Sequence, residues 1–376
     1  MARKQCCASC FGDPGLTRSI IPKVVADGTG RPRTGDCGYC GTKNTTTIEP
    51  SALSQWFEMV LDCYVLEKGG KSLALLLAED WRLFDHPVMD EAHTKELLAD
   101  ILDDGEIVRQ PFVPFDLPAA ATPQRWDELR DEMMHRNRWF LDAPIDLEQL
   151  GSLLNQLLAP AEDFADITDL WYRARLLPND EPLPVEEMGA PPAHLAGHGR
   201  ANPAGIRYLY LGSTDETAVA EVRPHTGETA CVATFKVPPV LALDLREPRK
   251  RASPFILANR EDMAALRAGL PLLERLGEEL TKPVQPRSAA FEYIPSQYLC
   301  EFIKTRGYQG VIYRSSVSEG VNLALFSPEL ASPVDVTVAL VDRVTVAISA
   351  VESLVVTRQQ APSNGSRLRV SQPQAQ

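Results

Sequence analysis

The chain has 376 residues, 44% hydrophobic and 24% charged, which is enough ordinary globular sequence for two domains with a sizeable core. Its formal net charge of −13 argues against direct binding to nucleic acid or anionic lipid, and obliges any anionic small ligand to find local cations. No apolar run reaches the roughly 18 residues of a membrane span, and the start, MARKQCCASC, lacks the apolar stretch of a secretory signal, so a cytoplasmic protein without membrane contact is expected.

Residues 1–50 are rich in Gly, Thr and Cys and cannot build a core unaided, so a staple is expected. Cys7 with Cys10, and Cys37 with Cys40, form two CxxC pairs, while Cys6, Cys63, Cys231 and Cys300 are scattered and read as reduced thiols. Four sulfurs in tetrahedral array suit structural zinc, and the glycine after Cys40 permits a tight turn. The 26 residues between the pairs exceed the common zinc-ribbon spacing, so free thiols or a disulfide stay open as alternatives, and Cys6 could replace Cys7. A four-sulfur site leaves no open coordination position, which points to stability or partner binding rather than catalysis.

Residues 51–160 read as a helical domain. Leu53, Trp56, Phe57, Val60, Leu61 and Tyr64 recur at three- and four-residue steps, with Ser51 placed as a cap. A second helix is predicted from Thr122, with Pro123 in its first turn and Trp126, Leu129 and Met133 on its apolar side. A third runs from about Asp146 to Leu158 through Leu147, Leu150, Leu154 and Leu157. From about Asp166 the texture turns to short β-rich runs at 171–177, 206–212, 230–237, 240–245, 308–314 and 321–326, with further strands over 334–357. Helices are predicted over Asp215–Val222 and Ser296–Arg306, the latter stopped by Gly307. The basic cluster Arg246, Arg249, Lys250, Arg251 reads as a solvated loop, because no aromatic residues interleave it. Residues 360–376, rich in Ser, Gln and Pro, read as a disordered tail. The whole is α+β: a zinc-knuckle segment (1–50), a helical domain (51–160) and a compact mixed α/β domain (166–357) before that tail.

Within GRANPAGIRYLYLGSTDETAVAEVRP, Arg200, Tyr210 and Glu221 stand ten and eleven positions apart. A loop, a strand and a helix can bring such a cation, phenol and carboxylate to one pocket. That is equipment for holding a pyrophosphate and steadying a sugar cation. There is no GxGxxG after a strand and no P-loop, so a dinucleotide would be substrate rather than a Rossmann-bound cofactor.

Three blocks carry a resemblance to the RES domain, a family named for its Arg, Glu and Ser: YRAR at Tyr172–Arg175, the segment Gly199–Pro224, and YQGVIYRSSVSEGVNLALF from Tyr308 to Phe326. Residues 1–150 also look like the cysteine-containing, HEPN/RES-type N-terminal domain fused to some RES proteins. The resemblance implies a fold related to ADP-ribosyltransferases and cleavage of NAD+ at the nicotinamide bond by phosphorolysis or hydrolysis, with inorganic phosphate as a co-substrate in the first case. Many members are toxins of toxin–antitoxin pairs, neutralised by a helix-turn-helix antitoxin, although such toxins are usually much shorter than this chain. The family's Arg, Tyr, Glu and Ser fall on Arg200, Tyr210, Glu221 and Ser315, with Ser316 adjacent and Arg314 where the family often has Pro.

In that chemistry nicotinamide departs neutral and positive charge moves onto the ribose. Glu221 is the candidate to stabilise the oxocarbenium-like transition state, and Arg200 to hold phosphate oxygens. Tyr210 would pack on nicotinamide or ribose. Ser315 and Ser316 would hydrogen-bond phosphate or ribose. Strand alternation sends Arg173 and Arg175 to one face, from which they could line the same pocket. His194 and His198 lie near Arg200 without an assigned role. Three readings stay open: an NAD+-degrading enzyme, an ADP-ribosyltransferase acting on a macromolecule, and a nucleotide-binding or interaction module whose zinc-stapled segment recruits a partner.

Overall fold

The computed structural model describes residues 4–115, 122–142, 145–156, 170–177, 181–285 and 287–345. At the N-terminus, β1 (Cys6–Cys7), β2 (Arg33–Gly35) and β3 (Thr45–Ile48) form a small antiparallel sheet in the order β1-β3-β2. The chain between β1 and β2 coils into a wide helical turn, Leu16–Ile20, and then α1 (Ile21–Ala26). Asp13 starts that turn by accepting from the Leu16 amide at 2.8 Å.

In the next region α2 spans Ser54–Leu61 and buries Phe57 and Val60, as the periodicity predicts. Ser51 does not cap it: Ser51 lies inside a 3-10 turn, Pro50–Leu53, and Leu53 precedes the helix without a side-chain cap. The region is also not purely helical. β4 (Tyr64–Ser72) pairs with β5 (Pro111–Pro114) across a bulge between Leu66 and Lys71, which takes up the two glycines that disfavour a helix there. Between these strands lie α3 (Leu73–Trp81) and α4 (Glu91–Leu102), the latter capped by Asp90, which accepts from the His93 amide at 2.9 Å. The second predicted helix is α5 (Pro123–His135), with Thr122 as its side-chain cap and Trp126, Leu129 and Met133 buried. The third is α6 (Leu147–Gln156), where Leu153 joins Leu150 and Leu154 in the interior, while Leu157 lies outside the described residues.

The second half is built on a seven-stranded sheet. Its strands are β6 (Leu170–Leu176), β7 (Leu209–Gly212), β8 (Thr229–Lys236), β9 (Ala242–Asp244), β10 (Gly310–Arg314), β11 (Val321–Leu325) and β12 (Ser332–Leu340). They run in the order β12-β8-β6-β7-β11-β10-β9, with every neighbouring pair antiparallel except β9 and β10. Each strand predicted between 171 and 326 is present within a few residues of its expected place. Of the 334–357 run, β12 covers the start, and residues 346–357, like the predicted tail, lie outside the described residues.

Five α-helices are found among the described residues of this half. α7 (Asp215–Glu221) leaves β7, α8 (Pro248–Arg251) follows β9, α9 spans Arg260–Thr281, and α10 (Ala289–Glu292) leads into α11 (Ile294–Thr305). The sequence reading passes over α9, whose interior Pro271 and two glycines lower its intrinsic propensity. It persists because Met263, Leu266, Leu270, Leu273, Leu276 and Leu280 are buried along one face, each worth roughly 1.5–3 kcal/mol of transfer free energy. That face belongs to one continuous core with Phe57, Trp81 and Trp126 of the first half and Leu299 and Ile303 of α11.

The basic cluster is a correction to the expected solvated loop. Arg246 and Arg251 keep only 14% of their side-chain surface exposed, and both pair with buried Asp244, at 2.7 Å in each case. Arg249 makes a fork onto Glu274 and donates to the carbonyls of Glu79 and Asp80, tying α9 to the end of α3. Guanidiniums can be held inside because each finds several fixed acceptors.

Candidate active site

β7 runs into Thr214, whose hydroxyl accepts from the Thr217 amide at 3.1 Å and so starts α7. The helix is only two turns long and ends on Glu221, beside the hairpin joining β10 to β11. Ser315, just past β10, donates to Glu221 Oε1 at 2.7 Å, and Asn322 of β11 donates to the same oxygen at 2.6 Å. Oε2 has no protein hydrogen-bond partner among the described residues. One carboxylate oxygen is therefore fixed and the other is left for solvent or a ligand. The Ser315 hydroxyl also accepts from the amides of Val317 and Ser318, both at 3.2 Å. Its proton is committed to Glu221, which makes it a positioning group rather than a poised nucleophile.

The Arg200 loop is held from two sides. Tyr210 of β7 accepts from the Ala201 amide at 2.9 Å and donates to Asn202 Oδ1 at 2.7 Å. Burial pushes the Tyr210 phenol up, so it stays protonated and keeps its donor role. Gly199 is required here, since a Cβ would stand 2.4 Å from the Tyr210 hydroxyl and 2.2 Å from Asn202 Oδ1. From α11, Ser296 donates to the Arg200 carbonyl at 2.6 Å, and Gln297 donates to the carbonyls of Gly199 and Asn202. The Arg200 guanidinium itself donates to the Lys282 carbonyl at 2.6 Å and lies 5.3 Å from the Tyr293 ring centroid, a cation–π distance.

Arg173 of β6 donates to the Tyr210 carbonyl at 3.1 Å, while its Nε is buried with no partner among the described residues. Burial, and then the neighbouring Arg175 charge, pull its pKa down to about 10, which leaves it a cation at neutral pH.

Arg173, Arg200, Tyr210, Glu221 and Ser316 all line one cavity of about 510 Å³, inside the range of small-molecule sites. Ser315 reaches it through Glu221. Arg175 does not line this cavity, because its guanidinium donates to the Gly189 carbonyl at 3.0 Å. Of the two histidines near Arg200, His198 lines the cavity and His194 does not. Sequence reasoning missed Asn322, Arg223, Tyr293 and Tyr313, which also line it. Asn322 did leave a signal: it is the one polar residue in VNLALF, and a lone buried amide needs a partner. Arg223 left none, for its left-handed backbone (φ 52°) appears only in three dimensions.

Residues 170–346 match the family model described as the RES domain. This chain carries a RES domain. All the candidate residues from Arg173 to Asn322 fall inside the match, and the cysteine-containing N-terminal part falls outside it. No curated protein matches the chain by sequence. One solved structure that is similar is described as the crystal structure of the M. tuberculosis MbcT–MbcA toxin–antitoxin complex. It is 12% identical over 52% of this chain and 94% of that one, with a TM-score of 0.30.

Ahead of the RES domain, Cys7, Cys10, Cys37 and Cys40 are all buried, and their sulfurs lie within 4.8 Å of one another. Cys7 and Cys40 are 3.5 Å apart, and Cys10 and Cys37 3.4 Å. A tetrahedral zinc with bonds of about 2.3 Å places its sulfurs about 3.8 Å apart, so the donor set is compatible with zinc. Cys7 belongs to the set and Cys6, equally buried, does not. Gly41 adopts φ 75°, the turn expected after Cys40. Among the described residues no helix is long and apolar enough to cross a membrane.

Proposed function

We propose that this chain degrades NAD+ by breaking its nicotinamide–ribose bond. The observation that supports this most is the shared cavity of Arg173, Arg200 and Glu221, in which the carboxylate is pinned by Ser315 and Asn322 through one oxygen only. Three arginines, Arg173, Arg200 and Arg223, line one small cavity and provide donors for a pyrophosphate, and the buried, unpartnered Nε of Arg173 is a donor in want of an acceptor. As the C–N bond lengthens, positive charge builds on the ribose. A carboxylate already held in place stabilises that charge without reorganising, which is where catalytic advantage arises. Nicotinamide leaves neutral and needs no acid. Phosphate or water then attacks the anomeric carbon from the opposite face.

Phosphorolysis and hydrolysis differ only in that nucleophile, and transfer to a macromolecule differs only in the acceptor. Incubation of the pure chain with NAD+, with and without phosphate, followed by mass measurement of the products, separates the three. Phosphorolysis yields an ADP-ribose phosphate ester, hydrolysis yields ADP-ribose, and transfer adds the mass of ADP-ribose to a macromolecule. Intact NAD+ in every arm, with a folded sample, sinks the reading. A Glu221→Gln chain should bind NAD+ but turn it over roughly 10²–10³-fold more slowly. The zinc knuckle is taken as structural. A role as toxin, with a helix-turn-helix antitoxin as partner, has the family resemblance as its support, and co-purification with the product of a neighbouring gene is its test.

A further inference from the structure

A second cleft, of about 970 Å³, lies between the N-terminal segment and the β10–β11 hairpin. One wall is Gly12–Ser19, which precedes the RES match, and the other is α8 with the residues around Arg314. It is basic in a chain of net charge −13: among the described residues Arg18, Arg246, Lys250, Arg251 and Arg314 line it, together with the carboxylates Glu247 and Glu319. Counting buried Asp244, which grips both Arg246 and Arg251, the cations still outnumber the carboxylates. The arrangement is built rather than fortuitous. Asp244 is 1% exposed and fixes two guanidiniums at the wall, while Glu247 reaches Lys250 at 3.1 Å and Arg314 at 2.8 Å. Concentrating like charge around a cavity raises its potential and is costly without an anion to offset it. Pro14, Ile256 and Val321 add an apolar portion.

We infer that this cleft is a binding site for a phosphate-bearing anion, distinct from the cavity that holds Glu221. The site offers planar, oriented guanidiniums with one flexible lysine, the pattern that suits phosphate oxygens. Its volume admits a nucleotide as readily as a bare phosphate. Because Ser315 lines the cleft and also donates to Glu221, an occupant rests against the hairpin that positions the carboxylate. The proposal stands whether or not NAD+ is the substrate.

The test is calorimetric titration of the full-length chain with ADP and, separately, with inorganic pyrophosphate. Lys250 and Arg314 have side chains 47% and 54% exposed, so their replacement should spare the fold. Lys250→Gln with Arg314→Gln should weaken binding at least about tenfold, and Lys250→Arg with Arg314→Lys should keep it. One saturable site should survive Arg200→Gln, which removes one of the phosphate donors of the other cavity, at unchanged sensitivity to the glutamine pair. ADP binding tighter than pyrophosphate identifies a nucleotide, and equal binding identifies a free phosphate, either of which supports the site. The proposal is overturned if neither probe saturates, if the glutamine pair binds unchanged, or if a folded Arg200→Gln chain loses all binding.

Discussion

The Tyr210 hydroxyl donates to Asn202 at 2.7 Å and accepts from the Ala201 amide at 2.9 Å, so a strand phenol holds the loop that carries Arg200. The hydroxyl's bonds are spent on protein atoms, and its influence on a ligand runs through the placement of the guanidinium.

Tyr210→Phe should therefore act first on stability. It leaves the buried Asn202 oxygen without its donor and the Ala201 amide without its acceptor, at a cost of roughly 1–3 kcal/mol. Denaturant unfolding measures this. Affinity for NAD+ should weaken more than the rate at saturation falls, because binding depends on where Arg200 sits. A variant as stable as the parent would show that the loop has other support.

Ser315→Ala removes one of the two donors to Glu221 Oε1 and leaves Asn322 in place. Turnover should drop on the order of 10-fold, less than removal of the carboxylate itself, with KM little changed. The double change Ser315→Ala with Asn322→Ala should cost more than the sum of the singles, since each alone leaves the carboxylate tethered. Initial-rate kinetics on the four proteins decide it. If the single change abolishes turnover, the serine meets the substrate directly.

Removal of metal should loosen the N-terminal segment. The purified chain is expected to hold one zinc, lost on treatment with a strong chelator together with a lowered Tm. Cys37→Ser should mimic the chelator, whereas Cys6→Ser should retain the metal, because Cys6 lies outside the four-sulfur set. Metal analysis of both variants separates them. Retention of full zinc by Cys37→Ser would rule out that set.

Asp13 gives a pH dependence of definite sign. It is 1% exposed, and burial raises its pKa to about 6 against bonds from the Leu16 amide and Ser253 that pull the other way. The folded pKa exceeds the unfolded value of 3.8, so the folded chain holds the extra proton. The associated stability is complete below about pH 4 and is lost as pH rises through about 6, an amount on the order of 3 kcal/mol. Asp13→Asn should erase that part. The difference in unfolding free energy between the parent and the variant, followed from pH 4 to 7, should move in favour of the variant as pH rises. A difference that stays flat would mean that the carboxylate is not desolvated as its burial implies.

Much of the architecture was legible because it is written in local terms. Thr122 and Pro123 start α5, Asp146 opens α6 by accepting from the Gln149 amide, and the β-rich runs became strands close to their expected limits. Spacing of three to four residues, or alternation by two, is enough for such features. Where local signals conflicted, the reading failed. Pro271 masked α9, and the chain from Tyr64 to Ser72 pairs with a strand some forty residues away that no local pattern announces.

The spacing of Arg200, Tyr210 and Glu221, the serine block and the two cysteine pairs were determined by the sequence alone, since each depends only on residue type and separation along the chain. Tertiary structure decided the direction of each group: Arg175 toward Gly189 instead of the cavity, the Tyr210 hydroxyl into a loop, and Ser315 onto a carboxylate 94 residues away. It also turned an apparently solvated run of arginines into the wall of a cleft. Those outcomes rest on hydrogen bonds and charge pairs between distant segments, whose geometry is set only when the sheet has brought its strands into register.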